Sequence, residues 1–328
     1  MASADSLDKG TSVPFFHRGF DVEAAVQAPF RMQPGLRRRA ADAPLLTPCR
    51  PGGRHLQAKL AVLGSAWAAC LQQQPGFDAL PALRRLAAAL AQAHPAAWRV
   101  QGGTWQALQL GWSVDSTSGM PHPSGGPAAI GEVLQTLPPA WRAAGLLALA
   151  FEEDLALLDG RSATLPWLAV ALPSHWRPAD KIGRHFAEVH APVADNTLLL
   201  AAGAHLMRLV SDVDRWERFV WTLTPHAGLD AHPDRCVSAW PADPWAVADA
   251  AHWRSEHQTF FPLGDGLALF GIHVATAPMS QALAAPVHAR QVHAALASMS
   301  TAVLTYRGMA QAQPALLHWL QQRGASCT

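Results

Sequence analysis

Histidine is the residue type through which this chain could most readily bind a metal ion. The sequence contains 16 histidines, and neutral imidazole is the commonest metal ligand in proteins. Most histidines are ordinary surface or core residues, so position must distinguish them. Ile182, Phe186 and Val189 have helical spacing and would form one apolar face. His190 lies at the edge of this face, where a ligand to a buried cofactor would have to be; the alternative is that His190 caps the helix by contacting its last carbonyls.

The segment that contains His190 is predicted to be one short helix. Residues 172–193 read LPSHWRPADKIGRHFAEVHAPV. The segment opens with a Pro-Ser turn, has Pro178 at a plausible first helical position, and cannot continue as a helix past Pro192. A helix bounded in this way would hold His190 against the body of the protein.

This segment resembles the signature of the haem-dependent oxidative N-demethylase α-subunit family. The family pattern is a P-S-x-W turn, then K-[IL]-G-[RK], then [IV]-H-x-P-V, and the matching residues are Pro173, Ser174, Trp176, Lys181, Ile182, Gly183, Arg184, Val189, His190, Pro192 and Val193. Similar matches between about residues 29 and 310 are Pro29 to Met32, Gly35, Leu36, Arg218, Trp221, Arg254, Glu256, Gln258, Thr259 and Tyr306 to Gly308. The resemblance implies a haem-binding PAS-like domain that oxidises small secondary amines in a complex with reductase subunits.

The resemblance also implies roles for individual residues. His190 would be the axial ligand of the iron, for which a neutral imidazole is well suited. Arg218 lies on the strand after this helix, where haem-binding PAS sensors have an arginine that bonds to oxygen, and it would act in catalysis. Its alternative role is that of a solvent-facing strand residue. The expected contacts to haem b, and to its propionates above all, are Lys181, Arg184, Trp221, Arg254 and His257. An ordinary salt bridge is the alternative for each charged residue.

The chain departs from the family pattern at three positions. It has His257 and His273 where the family commonly has arginine, and Val220 where the family has asparagine. Two other functions therefore stay open, a non-catalytic haem or gas sensor and a haem-less scaffold that binds a partner. Cys236 is a conceivable thiolate ligand, although a free thiol is the commoner outcome. The four cysteines are scattered without a C-x-x-C, which indicates neither a zinc site nor a disulfide framework.

The implied reaction requires dioxygen and a source of electrons. An N-methyl group of a dimethylamine-like substrate would be oxidised, and the hydroxylated product would collapse to formaldehyde, with haem supplying the oxidation. The sequence has neither a glycine-rich dinucleotide fingerprint nor the clustered cysteines of an iron-sulfur centre. We therefore expect electrons from NADPH to arrive through separate flavin and iron-sulfur reductase subunits.

Composition restricts the compartment and the partners. Half of the 328 residues are hydrophobic and 15% are charged, which indicates much buried surface and is compatible with a homo-oligomer. The net charge of +1 gives no electrostatic reason to expect nucleic acid or an anionic membrane as a partner. No stretch approaches the roughly 20 apolar residues that span a bilayer, and the N-terminal residues lack the apolar core of a signal peptide. We therefore expect a cytoplasmic protein.

Local patterns predict an α+β fold, to which the resemblance adds a PAS-like antiparallel sheet with flanking helices and an N-terminal helical extension. Residues 1–28 are expected to be an arm whose Phe15, Phe16 and Phe20 pack onto the body or a partner, and residues 29–328 a single haem-binding domain. Helices are predicted at 56–74, 80–93, 178–190, 196–210, 243–257 and 286–299. Strands are predicted at 105–112, 146–151, 154–158, 167–172, 218–224, 259–263 and 267–276, with a loop at 115–127.

Overall fold

The computed structural model describes residues 20–325. Helices and antiparallel strands alternate along the chain, which confirms the α+β class. Phe15 and Phe16 of the expected arm lie outside the described residues. Phe20 contacts the body of the protein, with its ring edge-on to Trp253 and the centroids 5.6 Å apart. No helix within the described range is long and apolar enough to cross a membrane.

Helices and strands follow one another along the chain from Val22 to Ala325. The helices of the described residues are α1 (Val22–Ala25), α2 (Arg54–Cys70), α3 (Leu80–Ala93), α4 (Ala128–Thr136), α5 (Pro139–Ala150), α6 (Phe186–His190), α7 (Thr197–Ser211), α8 (Val247–Ala250), α9 (Met279–Ala282), α10 (Pro286–Ala297), α11 (Thr301–Tyr306) and α12 (Gln313–Ala325). The strands are β1 (Arg37–Arg38), β2 (Leu71–Gln73), β3 (Trp98–Gln101), β4 (Thr104–Ala107), β5 (Trp112–Asp115), β6 (Pro121–Pro123), β7 (Asp154–Asp159), β8 (Thr164–Ala169), β9 (Trp216–Thr224), β10 (His252–Gly264) and β11 (Leu267–Pro278).

Seven strands form one large antiparallel sheet in the order β1-β9-β10-β11-β7-β8-β2. Its longest pairing is the hairpin of β10 and β11, which confirms the predicted hairpin and extends it to His252 and Pro278. β11 pairs with β7 on its other side. The chain between β8 and β9 therefore crosses from one half of the sheet to the other, and α7 contacts β7, β10 and β11 on the way.

The two faces of the large sheet pack against different parts of the chain. Trp221 of β9 and Trp253 of β10 stack at a centroid distance of 5.1 Å and belong to a buried cluster with α10 and α12. Successive side chains of a strand point to opposite faces, so even-numbered side chains of β9 and β10 face away from this cluster. On that second face, Phe260 packs with Met207 and Val210 of α7. The space between α7 and the sheet is where the candidate site lies.

A second sheet is formed by the chain between β2 and β7 of the large one. β3 to β6 form it as a four-stranded antiparallel meander. One strand over 105–112 is a wrong prediction, because a turn of 3-10 helix and Gly111 at φ +63° separate β4 from β5. The predicted loop at 115–127 contains β6. Trp105 of this sheet and Leu157 of the large sheet belong to the same buried cluster, so the two sheets share a core.

Two further segments differ from their predictions. Residues 146–151 form the end of α5 instead of a strand, because a run buried on all sides has the same apolar pattern in either structure. The prediction of a helix over 243–257 is also wrong. Asp243 accepts the N–H of Trp245 and begins one 3-10 turn, α8 adds a single turn, and β10 begins at His252. The alternation of side chains after His252 is the strand signal that outweighs the helical pattern.

The single helix predicted over 178–190 is wrong as well, and this difference shapes the site. The segment is a 3-10 turn, a bend and the five-residue α6. Gly183 lies in the bend at φ +67°, a conformation that glycine adopts without steric cost, and its N–H donates to the Leu165 carbonyl of β8. The segment therefore runs alongside the start of β8, and Ile182 and Phe186 pack in different clusters.

Candidate functional site

A cavity of about 630 Å³ lies between the large sheet and the segment that includes α6 and α7. Ligand and cofactor sites usually measure roughly 300–1,000 Å³. Side chains of β9 and β10 form one wall, and residues 174–193, α7 and the end of α11 form the others. The lining residues include Lys181, Arg184, Phe186, Val189, His190, Met207, Arg218, Val220, Glu256, Gln258, Tyr306 and Arg307.

His190 lines this cavity with one ring nitrogen bonded and the other free. Its Nδ1 lies 2.9 Å from the Phe186 carbonyl oxygen, and a carbonyl can only accept, so the neutral ring has its proton on Nδ1. Burial lowers the pKa of His190 to about 4, which keeps the ring neutral at physiological pH. Nε2 has no hydrogen-bond partner within residues 20–325. This bond is to the first carbonyl of α6 and not to the last carbonyls that a cap would contact, and it leaves Nε2 open as a ligand.

The packing around Phe186 fixes the orientation of His190. The two rings stack with centroids 4.0 Å apart. Phe186 lies against Gly203 of α7, where an added Cβ would come within 2.5 Å of the phenyl ring. α6 itself begins with a capping box, in which the His185 Nδ1 accepts a backbone N–H and the Glu188 carboxylate accepts the N–H of His185. A helix of five residues is thereby held in one position.

Arg218 of β9 and Arg307 after α11 both line the cavity. In each, the Nε atom is shielded from solvent and has no partner in the described part of the chain. Burial lowers the pKa of Arg307 to about 10. Burial also lowers the pKa of Arg218, while the charge of Glu256 acts in the opposite direction. Buried donors without partners are uncommon in native proteins, so these two mark a place where an acceptor group would bind.

Arg307 is not among the residues predicted to form the site. Its guanidinium donates to the Trp221 carbonyl and lies 4.7 Å from the centroid of the Phe30 ring. These contacts hold it beside β9, close enough to Arg218 for the two charges to interact. The signal that could have found it is its place in the Tyr306 to Gly308 match to the family pattern.

Lys181 and Arg184 line the cavity from the same segment as His190. The Lys181 Nζ donates to the Val189 carbonyl at 3.1 Å, and burial lowers the pKa of Lys181. Arg184 is exposed, and its side chain has no hydrogen bond or ion pair with any described residue. Both side chains are therefore placed to bind an anionic group.

Arg254, which the resemblance predicts as a haem contact, does not line the cavity. It is 1% exposed. Its guanidinium donates to the Ser174 Oγ and to the carbonyls of Pro173, Gly228 and Leu229. All three guanidinium nitrogens are engaged in these bonds, so none is directed at a propionate. Arg254 instead ties two loops to β10, and one of these loops borders the cavity.

The side chain of His257, the other predicted haem contact outside the cavity, lies on the opposite face of the sheet. Its ring stacks on Phe219 at 4.5 Å, and its Nε2 lies 2.8 Å from Glu217. His273 is its cross-strand partner and lies 2.9 Å from Glu152. Neither histidine lines the cavity. The two departures from the family arginines therefore do not alter the cavity wall.

Trp221 is an expected haem contact, and Cys236 is the conceivable thiolate ligand. The Trp221 indole packs on the opposite face of the sheet, where it stacks on Trp253 and donates to the Ala25 carbonyl at 3.1 Å. Trp221 borders the cavity, and its carbonyl accepts from Arg307, so its contribution is made by the backbone. The Cys236 Sγ lies 3.1 Å from the carbonyl oxygen of Asp230 and does not line the cavity.

Glu256 of β10 is the one acidic residue among the described residues that line the cavity. It is 8% exposed, and the Gln258 amide donates to its carboxylate. It lies close enough to Arg218 for the two charges to interact. Glu256 is one of the residues that match the family pattern, but the sequence alone gives it no role, because the strand pattern does not show that its carboxylate is buried in a cavity. A carboxylate in this position can bind an ammonium group.

Comparison with known proteins gives one informative match. No curated protein matches the chain. A family model described as haem-dependent oxidative N-demethylase, alpha subunit-like, matches residues 81–317, which is well over half of the chain and includes His190, Arg218 and Arg307. This match confirms the family that the signature around His190 indicates. The chain therefore belongs to the haem-dependent oxidative N-demethylase alpha subunit-like family.

Proposed function

We propose that the cavity binds haem b and that this chain is the haem-binding subunit of an enzyme that demethylates a small secondary amine. The observation that supports this most strongly is the free Nε2 of His190 in a cavity of about 630 Å³. Membership of the family supports haem dependence. The axial ligand, the amine and the reaction are proposals from the residues of the site.

The residues around His190 fit an axial ligand. Its Nδ1–H bond to the Phe186 carbonyl fixes the tautomer and the ring orientation, as the second bond of metal-ligating histidines generally does. Phe186, Val189 and Met207 supply apolar surface on the same side of the cavity. Such surface suits a porphyrin and excludes water from the iron.

Basic residues of the cavity fit the two propionates of haem. Lys181 and Arg184 are the candidates to bind them, because each has donors that face the cavity or solvent. Arg218 and Arg307 add two more positive charges with unpartnered Nε atoms. We assign Arg218 a catalytic role, because a guanidinium in a site shielded from water stabilises negative charge that develops during a reaction.

Haem, when bound, supplies the oxidation of the methyl group by dioxygen and electrons. The chain binds and orients the amine. Glu256 would pair with the ammonium form of the substrate and accept its proton, which frees the nitrogen lone pair, while Gln258 holds the carboxylate. The hydroxylated methyl group then leaves as formaldehyde. Electrons would come from NADPH through flavin and iron-sulfur subunits, since the sequence has a motif for neither group.

The PAS-like designation and the single domain over 29–328 belong to the same proposal. The PAS-like core would be β7 to β11, which lie in the order β9-β10-β11-β7-β8 with α6 and α7 crossing one face. A shared buried cluster supports one domain, because it joins α2 to α5 with strands of the large sheet.

The absorption spectrum of the purified chain tests the proposal first. We expect a Soret band that requires His190. If no Soret band appears after haem reconstitution, the chain does not bind haem, and the remaining function is that of a scaffold that binds a partner. NADPH-driven formaldehyde release with reductase subunits then separates an enzyme from a haem or gas sensor. A chain that binds haem but releases no formaldehyde from any small methylamine would contradict the proposed reaction.

A further inference from the structure

Two histidines and a carboxylate meet on the sheet face opposite the cavity. His55 belongs to the first turn of α2, Glu152 follows α5, and His273 lies on β11. One ligand atom from each lies within 4.8 Å of the other two. The Glu152 Oε2 is 2.9 Å from the His273 Nε2 and 3.4 Å from the His55 Nδ1. None of the three lines the cavity.

The orientation of His55 places its unprotonated ring nitrogen, Nδ1, opposite the Glu152 carboxylate. Its Nε2 lies 2.7 Å from the Val274 carbonyl oxygen, so Nε2 has the proton of the neutral ring. Nδ1 then points a lone pair at the Glu152 carboxylate, which also only accepts. Without a second proton on the buried ring, this contact is favourable when a cation lies between the two groups.

The three donor groups are held before any ion binds. Arg54 donates to the Thr276 carbonyl at 2.8 Å, which fixes the first turn of α2 against β11. The N–H of Glu152 donates to the Thr47 carbonyl at 2.8 Å. The bond from His55 to the Val274 carbonyl is of the kind that orients ligand histidines in metal sites.

We propose that His55, Glu152 and His273 bind a divalent transition-metal cation, with Zn²⁺ as the best match. Ligand nitrogens and oxygens lie about 2.0–2.2 Å from zinc and therefore about 3.4 Å from one another in a tetrahedral site. The distance from the Glu152 Oε2 to the His55 Nδ1 is 3.4 Å, and the 2.9 Å hydrogen bond to His273 would lengthen when its proton is replaced by the ion. Two histidines and one glutamate leave a fourth position for water, as in catalytic zinc sites. The side chains are 12%, 23% and 21% exposed for His55, Glu152 and His273, so an ion and water can reach them.

Binding would require the His273 Nε2 to give up its proton. His273 donates this proton to Glu152 in the ion-free pair; on binding, the proton of the neutral ring moves to Nδ1 through solvent, so that the Nε2 lone pair can bond to the metal. The site is independent of the haem proposal, because it lies on the other face of the sheet and shares no residue with the cavity. It would join α2, the end of α5 and β11, three segments far apart in the sequence.

His257 and Glu217 provide a matched control. They form the same kind of pair, at 2.8 Å, on the neighbouring strands β10 and β9, and His257 is the cross-strand partner of His273. No second imidazole joins them in the described part of the chain. A site that needs two histidines should therefore be lost in His55→Gln and retained in His257→Gln.

The experiment is Zn²⁺ binding by the full chain after treatment with a chelator. We expect one zinc per wild-type chain by elemental analysis, with haem measured separately by absorption, and d–d bands when Co²⁺ replaces zinc. His55→Gln should weaken binding by about 10–100-fold or more. His273→Arg should abolish it while keeping the charge pair with Glu152, so its thermal unfolding in chelator should match that of the wild type.

Two results would overturn the proposal. Wild-type chain that retains no more zinc than His273→Arg would show that the triad is a hydrogen-bonded cluster. Equal losses of zinc in His257→Gln and His55→Gln would place the ion elsewhere. Retention of the Co²⁺ bands in His273→Cys, where a thiolate replaces the imidazole, would support it further.

Discussion

At the scale of single residues, His190 is defined by the difference between its two nitrogens. Nδ1 is bonded to the chain and Nε2 is open to the cavity. His190→Ala should leave a folded protein, because Phe186 still packs against Gly203, but should lower haem occupancy by about 10-fold or more or alter the Soret band. The absorption spectrum after haem reconstitution measures this.

His185→Ala is the internal control for that substitution. His185 is exposed and accepts a backbone N–H at the start of α6, so its loss weakens the cap by about 1 kcal/mol without removing a ligand. A wild-type haem spectrum in His190→Ala, with an altered one in His185→Ala, would show that the wrong histidine has been chosen.

Arg218 is the residue on which the catalytic proposal rests. Arg218→Ala should leave haem bound and weaken the binding of cyanide to the ferric protein. A hydrogen bond to a charged group contributes about 1.5–3 kcal/mol, which corresponds to roughly 10–150-fold in the dissociation constant. Loss of haem in this variant would reassign Arg218 to the propionates, and an unchanged cyanide affinity would place it outside the ligand site.

At the scale of elements, the approach of α7 to α6 should matter for haem binding. Gly203→Ala places a Cβ within 2.5 Å of the Phe186 ring, and this ring must move together with the His190 that stacks on it. We expect a folded protein with haem affinity lowered by about 10-fold, as for a displaced ligand. Gly64→Ala in α2 is the matched control.

An alanine at position 64 meets only an ordinary contact, 3.5 Å from Val133. It should stabilise α2 by up to about 1 kcal/mol and leave haem titration unchanged. Equal haem affinities for wild type and Gly203→Ala would mean that Phe186 does not position His190.

The sequence predicts those elements whose signals are local and consistent. α3 coincides with its prediction at 80–93, and the hairpin of β10 and β11 is recognisable from the glycines around Asp265. The site segment is different, because Gly183 bonds to Leu165 of a distant strand, and the helical spacing around it does not reveal that tertiary bond. Arg307 and Glu256 both match the family pattern, but the sequence assigns them no role, because only the folded chain brings their side chains to the cavity.

At the scale of the whole molecule, Glu217 of β9 connects β1 to β10 within the large sheet. Its carboxylate lies 2.8 Å from the Arg37 Nε and 2.8 Å from the His257 Nε2. Burial raises the pKa of Glu217, but the bond and charge of His257 and the charge of Arg37 outweigh burial, and the pKa is lowered. This stabilisation is complete above the unfolded-state pKa and is lost as pH falls through the folded-state pKa.

Glu217→Gln should therefore lower the free energy of unfolding at neutral pH by roughly 1–2 kcal/mol. The stability of the variant should also fall less steeply than that of wild type as the solution is acidified. Urea unfolding at several pH values measures both effects. Glu132→Gln, at an exposed position of α4, should show the same dependence of unfolding free energy on pH as the wild type. If all three proteins lose stability equally on acidification, Glu217 does not contribute to the acid sensitivity.

The last prediction concerns how electrons reach the cavity. Among the described residues, Cys49, Cys70 and Cys236 form no cluster that could ligate an iron-sulfur centre, since the one group with metal-ligand spacing contains no cysteine. The sequence also has no dinucleotide fingerprint. We expect the purified haem-loaded chain to release no formaldehyde with NADPH and a small methylamine, and to do so once flavin and iron-sulfur reductase subunits are added. If the chain alone couples NADPH oxidation to amine turnover, separate reductase subunits are not needed and the prediction is wrong. The chain would then need a route for electrons that neither the sequence nor the described residues provide.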